Sequence, residues 1–198
     1  ALIIGVFAVL CAVVSILFCT ILHNAERLYK RFFKNPYLRV IIGGCIVIAL
    51  TLLVGDQTYN GTGMSIIASC MEGKPVFPLA FLLKMLFTGA TLGAGYKGGE
   101  IVPTLFIGAT FGTFFATVTG CSIPLCAAVG MGAVFCGVTN SPITSLLICF
   151  ELFGFEGMPY FLIAIALSYM LSGYYGLYSS QKIIYSKYKT EYINRKTH

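Results

Sequence analysis

Long apolar stretches separated by short polar breaks dominate the chain. Residues 2–22 are apolar enough to span a membrane, and a basic amphipathic turn extends this stretch to about Phe33. Asn35-Pro36 predicts its end, because the residue before a proline is pushed out of helical geometry. Residues 38–55 predict a second span. Shorter apolar pieces then predict helices over 64–72, 77–93, 101–118, 125–138, 142–154 and 158–173, and a final helix from about residue 177.

The later pieces are shorter than the roughly 20 residues that a helix needs to cross a bilayer core. Helices that end at membrane depth are tolerated where the broken backbone is buried in protein or lines a cavity, and in transporters such ends bind ions. The repeated glycine-rich breaks therefore favour a transport protein over the alternative, a tightly packed bundle of kinked helices. The breaks are Gly73-Lys74-Pro75, Gly93–Gly99, Gly120–Pro124, Asn140-Ser141-Pro142 and Gly154–Pro159.

The composition indicates that lipid is the solvent of these helices. Of the 198 residues, 58% are hydrophobic and 10% are charged, and the mean hydropathy is +0.88. A soluble domain carries about 25% charged residues. The apolar stretches are continuous and lack the alternation of a membrane β-barrel, so the pattern predicts an all-α membrane protein.

Histidine and cysteine give no sign of a catalytic or metal centre. His23 and His198 are single and far apart, and none of the eight cysteines forms a C-x-x-C pair. Most of the cysteines lie in apolar runs, where a free thiol behaves as a small hydrophobe. A membrane enzyme would need a nucleophile with a base or a metal cluster. We therefore expect no metal, no cofactor, no disulfide and no enzymatic activity.

Most of the 13 basic residues fall in two short runs. Basic residues that border membrane spans collect on the cytoplasmic side, so the first loop and the C-terminus are both expected to face the cytoplasm. A nucleic-acid partner is disfavoured, because the rest of the chain belongs in lipid. The runs are Arg27, Lys30, Arg31, Lys34 and Arg39, and Lys182, Lys187, Lys189, Arg195 and Lys196.

The segment from Gly93 to Pro103 carries the strongest candidate chemistry. Its glycines let backbone N–H groups approach a ligand closely, and Pro103 suits the first turn of a helix, where its missing N–H is no loss. A free helix N-terminus after a glycine loop can bind an anion. The segment therefore predicts anion binding, with a simple chain turn as the alternative.

Gly99-Glu100-Ile101-Val102-Pro103 resembles the Gly-x-Phe-x-Pro helix opening of the CLC family of chloride channels and anion–proton antiporters. The resemblance covers essentially all 198 residues, but only the second half of the family's membrane domain. Further segments that resemble the family are Thr62-Gly63, Gly130-Met131-Gly132-Ala133, Asn140-Ser141-Pro142-Ile143-Thr144, Glu151-Leu152 and Gly176-Leu177-Tyr178-Ser179.

The resemblance implies a CLC-like bundle of tilted, broken and half-length transmembrane helices over residues 1–198, the second half of an inverted repeat without a cytoplasmic regulatory domain. It implies a homodimer through helices in 142–173 and a location in a bacterial inner membrane. The family's central-serine and gating-glutamate loops, which belong to its first half, have no match. The chain also starts without Met inside an apolar run. We therefore expect a fragment that lacks its N-terminal half and does not transport alone.

Glu100 departs from the chloride-channel pattern and resembles the fluoride-exporting branch, where an acid follows paired glycines at this helix start. The match is incomplete, because that branch often carries Thr where this chain has Val102. An ionised Glu100 can compete with the anion and a neutral one can carry a proton, which suits proton coupling. The alternative is a first-turn acid that stabilises its helix dipole.

Tyr178 is the second candidate ligand, because the resemblance places its hydroxyl at the central anion site and a phenol donates one hydrogen bond without adding charge. The alternative is an ordinary interfacial tyrosine, one of twelve in the chain. Lys97 either attracts anions by its field or extends to the membrane interface. Glu151 is interpreted as a packing or capping residue.

These residues favour transport of a halide, fluoride or chloride, in exchange for protons. A non-transporting membrane scaffold is the alternative function, since small residues in 142–173 can pack helix on helix. The candidate anion-binding residues are Gly99, Glu100, Ile101, Val102 and Tyr178.

Overall fold

The computed structural model describes residues 2–197, of which most are helical. Eight helices follow one another within this part of the chain, and a two-stranded antiparallel hairpin closes it. The elements are α1 Leu2–Phe32, α2 Pro36–Val54, α3 Met64–Met71, α4 Ala80–Gly93, α5 Ile101–Thr119, α6 Ile123–Thr139, α7 Pro142–Phe153, α8 Met158–Leu171, β1 Lys182–Tyr185 and β2 Tyr192–Lys196.

The mixture of long and short helices agrees with the apolar pattern. Among the described residues, α1, α2 and α5 are long and apolar enough to cross a membrane, whereas α4, α6, α7 and α8 are shorter apolar helices. Asn35 caps α2 by accepting a hydrogen bond from the Tyr37 N–H, with Pro36 in the first turn. The predicted helical architecture is confirmed in the eight helices, which hold most of the described residues.

Helices α5 and α6 pack backbone against backbone at glycines. A Cβ added to Gly108 would lie 2.6 Å from the carbonyl oxygen of Gly130, and one added to Gly112 would collide with the backbone of Cys126. Small residues are what allow membrane helices to approach this closely. The pair forms the centre of the bundle, and every residue of α6 from Cys126 to Thr139 is buried.

Helix α1 packs along this central pair and carries the main hydrophobic core. The ring of Phe7 stacks on that of Phe115 with centroids 4.5 Å apart. Buried hydroxyls join the helices: Ser15 donates to the Val134 carbonyl oxygen over 3.3 Å, and Ser168 donates to that of Ala133 over 2.7 Å. Such bonds satisfy polar groups where no water is available.

The helix predicted from about residue 177 is wrong. The chain turns at Gly173 and forms the β1–β2 hairpin, in which Tyr185 pairs with Tyr192. Isoleucine and tyrosine are enriched in both strands, and these residues favour a pleated surface over a helix. The second basic run therefore lies on a hairpin and not on a helix.

Candidate functional site

The glycine loop between α4 and α5 is fixed by the start of α2. The Arg39 Nε donates to the Ala94 carbonyl oxygen over 3.1 Å, and the Tyr96 hydroxyl donates to the Val40 carbonyl oxygen over 3.0 Å. Gly95 has a φ of +100°, which a side chain would disfavour. The loop is thus held at its start, directly after α4, and Gly98 and Gly99 farther along it are exposed.

Glu100 begins α5 through its backbone and not through its side chain. Its carbonyl oxygen accepts from the Thr104 N–H over 3.1 Å and from the Thr104 hydroxyl over 2.8 Å. Its carboxylate makes no capping hydrogen bond to the helix. The N–H groups of Ile101 and Val102 precede the first helical hydrogen bond, so they have no acceptor within α5.

The half-buried side chain of Glu100 lines a cavity of about 340 Å³. The C-terminal part of α1 forms one wall, the glycine loop a second, and the segment after α8 a third. Besides Glu100, its polar lining comprises His23, Glu26, Tyr96, Lys97 and Ser179. Burial raises the pKa of Glu100, His23 opposes this rise and Glu26 adds to it.

A second cavity, of about 370 Å³, lies on the other side of the same loop. Gly98 lines both cavities, whereas Gly99 and Val102 line the second. Three threonines and Lys84 supply polar groups there. The loop and the start of α5 therefore separate two cavities, one with carboxylates and the other with a buried cation.

Lys84 is 2% exposed and lies on α4, near the second cavity. Its Nζ donates to the carbonyl oxygens of Tyr59, over 3.1 Å, and Gly61, over 2.5 Å, and lies 5.1 Å from the centre of the Phe106 ring. The described residues contain no carboxylate in ion-pair contact with it. A buried cation normally requires such a partner or an anion.

The segment that carries Tyr178 is bound to the C-terminal end of α6. The Leu177 N–H donates to the Val138 carbonyl oxygen over 2.9 Å, and the Asn140 side chain donates to that of Tyr175 over 2.8 Å. Leu177 and Ser179 line the first cavity, but Tyr178 is 42% exposed and is not part of its lining.

Lys187 anchors the hairpin behind this segment. Its Nζ donates to the Asn140 Oδ1 over 2.5 Å and to the Tyr169 carbonyl oxygen over 2.9 Å, and it lies 4.2 Å from the centre of the Tyr169 ring. Burial lowers the pKa of Lys187 to about 8. Its amino group thus joins the C-cap residue of α6 to the last turn of α8.

The structure brings part of the predicted site together. Glu100 shares a cavity with the neighbours of Tyr178, and Gly99 and Val102 share the other cavity, whereas Ile101 is 48% exposed at the first position of α5. Lys97 also lines the first cavity, and its two possible roles stay predictions. Sequence analysis missed His23, Glu26 and Lys84, although the spacing of His23 and Glu26 places both on one face of α1.

Comparison with known families and proteins supports this architecture. The voltage-gated chloride channel family matches residues 1–173. The chain is 34% identical over 180 residues to a protein of Pseudomonas syringae pv. tomato named chloride/fluoride channel protein, covering 88% of this chain and 40% of that protein. It is 32% identical over 179 residues to the voltage-gated ClC-type chloride channel ClcB of Salmonella typhimurium, covering 85% of this chain and 42% of that one.

Solved structures give the same fold. A CLC-type fluoride/proton antiporter superposes with a TM-score of 0.85 at 31% identity, covering 88% of this chain and 44% of that one. A eukaryotic CLC transporter superposes with a TM-score of 0.69 at 22% identity, covering 86% of this chain and 32% of that one. The chain thus spans less than half the length of these relatives.

Proposed function

Because the chain belongs to the voltage-gated chloride channel family, also called the CLC family, we propose that it forms the second half of a membrane domain that exchanges fluoride for protons. The position of Glu100 carries this proposal. It follows paired glycines at the start of α5, makes no capping bond and lines a cavity with its side chain. An uncapped carboxylate at this point is available to protons and competes with an anion.

The start of α5 supplies donors for the anion. The N–H groups of Ile101 and Val102 carry the partial positive charge of the helix N-terminus, and Gly99 leaves room beside them. The Tyr178 hydroxyl adds a neutral donor once the first-half segments complete the site. Neutral donors bind an anion weakly enough to release it, as conduction requires.

Fluoride is favoured over chloride by two observations. The first is the acid after the paired glycines, which resembles the fluoride-exporting branch of the family at this helix start. The second is the likeness to proteins whose names include fluoride, a chloride/fluoride channel protein and a fluoride/proton antiporter. Chloride–proton exchange is the alternative within the same family.

The two basic runs favour one orientation in the membrane. Arg27 and Lys30 from the first run line a cavity of about 310 Å³ together with Thr197, which follows the second run directly. Both runs therefore lie on the same side of the bundle, which we assign to the cytoplasm by the positive-inside rule. A bacterial inner membrane is the proposed location.

The apolar face of α7 supports a homodimer. Ile143 is 74% exposed, and Leu147 and Leu152 are exposed beside it. Ile143 and Leu147 lie four positions apart, so these two share one side of the helix. A second copy of the protein is the proposed partner of this face, through helices in 142–173.

Anion efflux from liposomes that hold the full-length protein tests the proposed function. We expect rapid fluoride efflux coupled to proton uptake, with chloride efflux much slower, and we expect Glu100→Gln to abolish the coupling or reduce exchange by at least about tenfold. Glu156→Gln, an exposed acid in the loop between α7 and α8, is the matched control and should behave like the wild type.

Chloride efflux that is indifferent to Glu100→Gln would contradict fluoride–proton exchange and make Glu100 a helix-stabilising acid. Efflux of neither ion would contradict transport itself and favour the scaffold.

A further inference from the structure

Two cavities meet at the C-terminal end of α1. The cavity that contains Glu100 and the one that contains Arg27 and Lys30 have three lining residues in common, namely His23, Glu26 and Ser179. His23 and Glu26 therefore stand between Glu100 and the cavity that contains Arg27 and Lys30, which is here called the outer cavity although it lies on the side assigned to the cytoplasm. Any proton that reaches Glu100 by this route passes these two side chains.

The helical spacing of α1 builds this arrangement. Positions 23, 26, 27 and 30 follow the i, i+3, i+4, i+7 pattern, so one face of α1 carries a histidine, an acid and two basic residues. Glu26 is ion-paired with Lys30 over 2.5 Å, one turn farther along the same face. The histidine is the inner member of the series.

The chemistry of the two side chains suits proton transfer. Histidine is the side chain whose ordinary pKa lies nearest neutrality, so it gains and loses a proton under physiological conditions. A neighbouring carboxylate attracts protons to the mouth of the cavity, and a space of about 340 Å³ is large enough to hold several water molecules between His23 and Glu100.

We propose that His23, assisted by Glu26, relays protons from the outer cavity to Glu100. The imidazolium of His23 gives its proton through water to the Glu100 carboxylate, which leaves a neutral imidazole and a neutral acid. The imidazole then takes up a proton from the outer cavity, where the negative charge of the Glu26 carboxylate attracts protons. This inference rests on the proposed function of Glu100 as the proton-carrying acid.

Other charged and titratable groups surround the relay, and they set the field in which it works. Basic groups on the outer side discourage a free cation but not a proton that moves along hydrogen bonds. The groups that face the relay are Arg27 and Lys30 on α1, Arg39 on α2, and Tyr96, Lys97 and Glu100 on the glycine loop and the start of α5.

Proton and fluoride fluxes measured together in liposomes with the full-length protein test the relay. We expect His23→Ala to slow fluoride–proton exchange about tenfold at pH 7.5, to recover at pH 5.5, and to be rescued by added imidazole. Acid supplies protons to Glu100 directly, and imidazole replaces the missing ring in the cavity. A purely structural role of His23 predicts neither recovery nor rescue.

Two matched substitutions of acids distinguish a specific role of Glu26 from a general effect of removing a negative charge. Glu26→Gln should slow exchange at pH 7.5 by a smaller factor, whereas Glu72→Gln should have no effect, although Glu72 is likewise ion-paired with a lysine, Lys74, over 2.6 Å. Wild-type exchange in His23→Ala at pH 7.5, or a defect that neither acid nor imidazole relieves, would overturn the relay. Glu100→Gln without an effect would instead overturn the proposed function.

Discussion

A buried cation on α4 is supported by backbone rather than by an acid. Lys84 donates to the carbonyl oxygens of Tyr59 and Gly61 and contacts the face of the Phe106 ring. Hydrogen bonds to a charged group contribute roughly 1.5–3 kcal/mol, and a buried acceptor that loses its donor costs about as much. Lys84 therefore holds the 57–63 loop against α4 as well as supplying charge to the second cavity.

Lys84→Met should destabilise the protein, because the methionine fills the space of the side chain but leaves the carbonyl oxygens of Tyr59, which is buried, and of Gly61 without this donor. We expect the free energy of unfolding to fall by roughly 2 kcal/mol, within the range for hydrogen bonds to charged groups. Thermal unfolding in detergent, followed by size-exclusion chromatography, measures the change. Lys74→Met, at an exposed position, is the control, and an unchanged Tm for Lys84→Met would contradict the supporting role.

Candidate functional residues could be predicted from the sequence where they lay within a local motif. Glu100 was singled out because the glycines before it and Pro103 after it indicate a helix start. His23 and Lys84 were not, because each acquires its surroundings from segments distant in sequence. The sequence around a single histidine at the end of an apolar stretch, or around a single lysine within one, does not show that a cavity lies beside it.

At the scale of elements, the contact between α5 and α6 depends on the absence of side chains. Gly108 and Gly112 on one helix face backbone atoms of Gly130 and Cys126 on the other. Extra atoms in a well-packed core usually cost about 1–3 kcal/mol, and more where backbone must move. Here the atoms in the way are backbone, so the helices themselves would have to separate.

Gly112→Val should prevent correct assembly of the bundle, because its Cβ would collide with the Cys126 backbone. We expect most of the protein to aggregate on extraction into detergent, and the remainder to unfold at a Tm several degrees lower. Gly5→Ala is the matched control, since a Cβ on Gly5 meets no atom within 4 Å and alanine favours the helix. A monodisperse Gly112→Val protein with wild-type Tm would show that the two helices can separate freely.

The apolar stretches predicted the helices from α1 to α8, because in lipid a helix satisfies the hydrogen-bonding groups of its backbone within its own segment. The prediction failed beyond residue 177. There the backbone groups are satisfied by partners that the local sequence does not reveal, such as Val138 for Leu177 and Asn140 for Tyr175. Hydrogen bonds between distant segments decided the conformation of this region.

At the scale of the whole molecule, several apolar helix faces are unpaired within the chain. Gly43 is the one buried residue of α2, and α7 exposes Ile143 and Leu147, four positions apart, on one side. Lipid covers such faces as readily as protein does, so exposure alone does not identify a partner. The proposed dimer therefore needs a test that distinguishes α7 from α2.

Leu147→Trp should weaken the proposed dimer, because the larger ring prevents close approach of two α7 helices. We expect the mass of the detergent-solubilised full-length protein, measured by light scattering, to shift from dimer toward monomer. Leu52→Trp, on the exposed side of α2, should leave the mass unchanged. A dimer that tolerates Leu147→Trp but not Leu52→Trp would place the interface elsewhere.

The glycine contact between α5 and α6 also limits how this protein can move. Two helices in backbone contact are interlocked, so α5 cannot slide or rotate along α6 without first moving away from it. In the proposed exchange, alternation between inward and outward access would then fall to the side chain of Glu100 and to the glycine loop, while the α5–α6 pair stays in place.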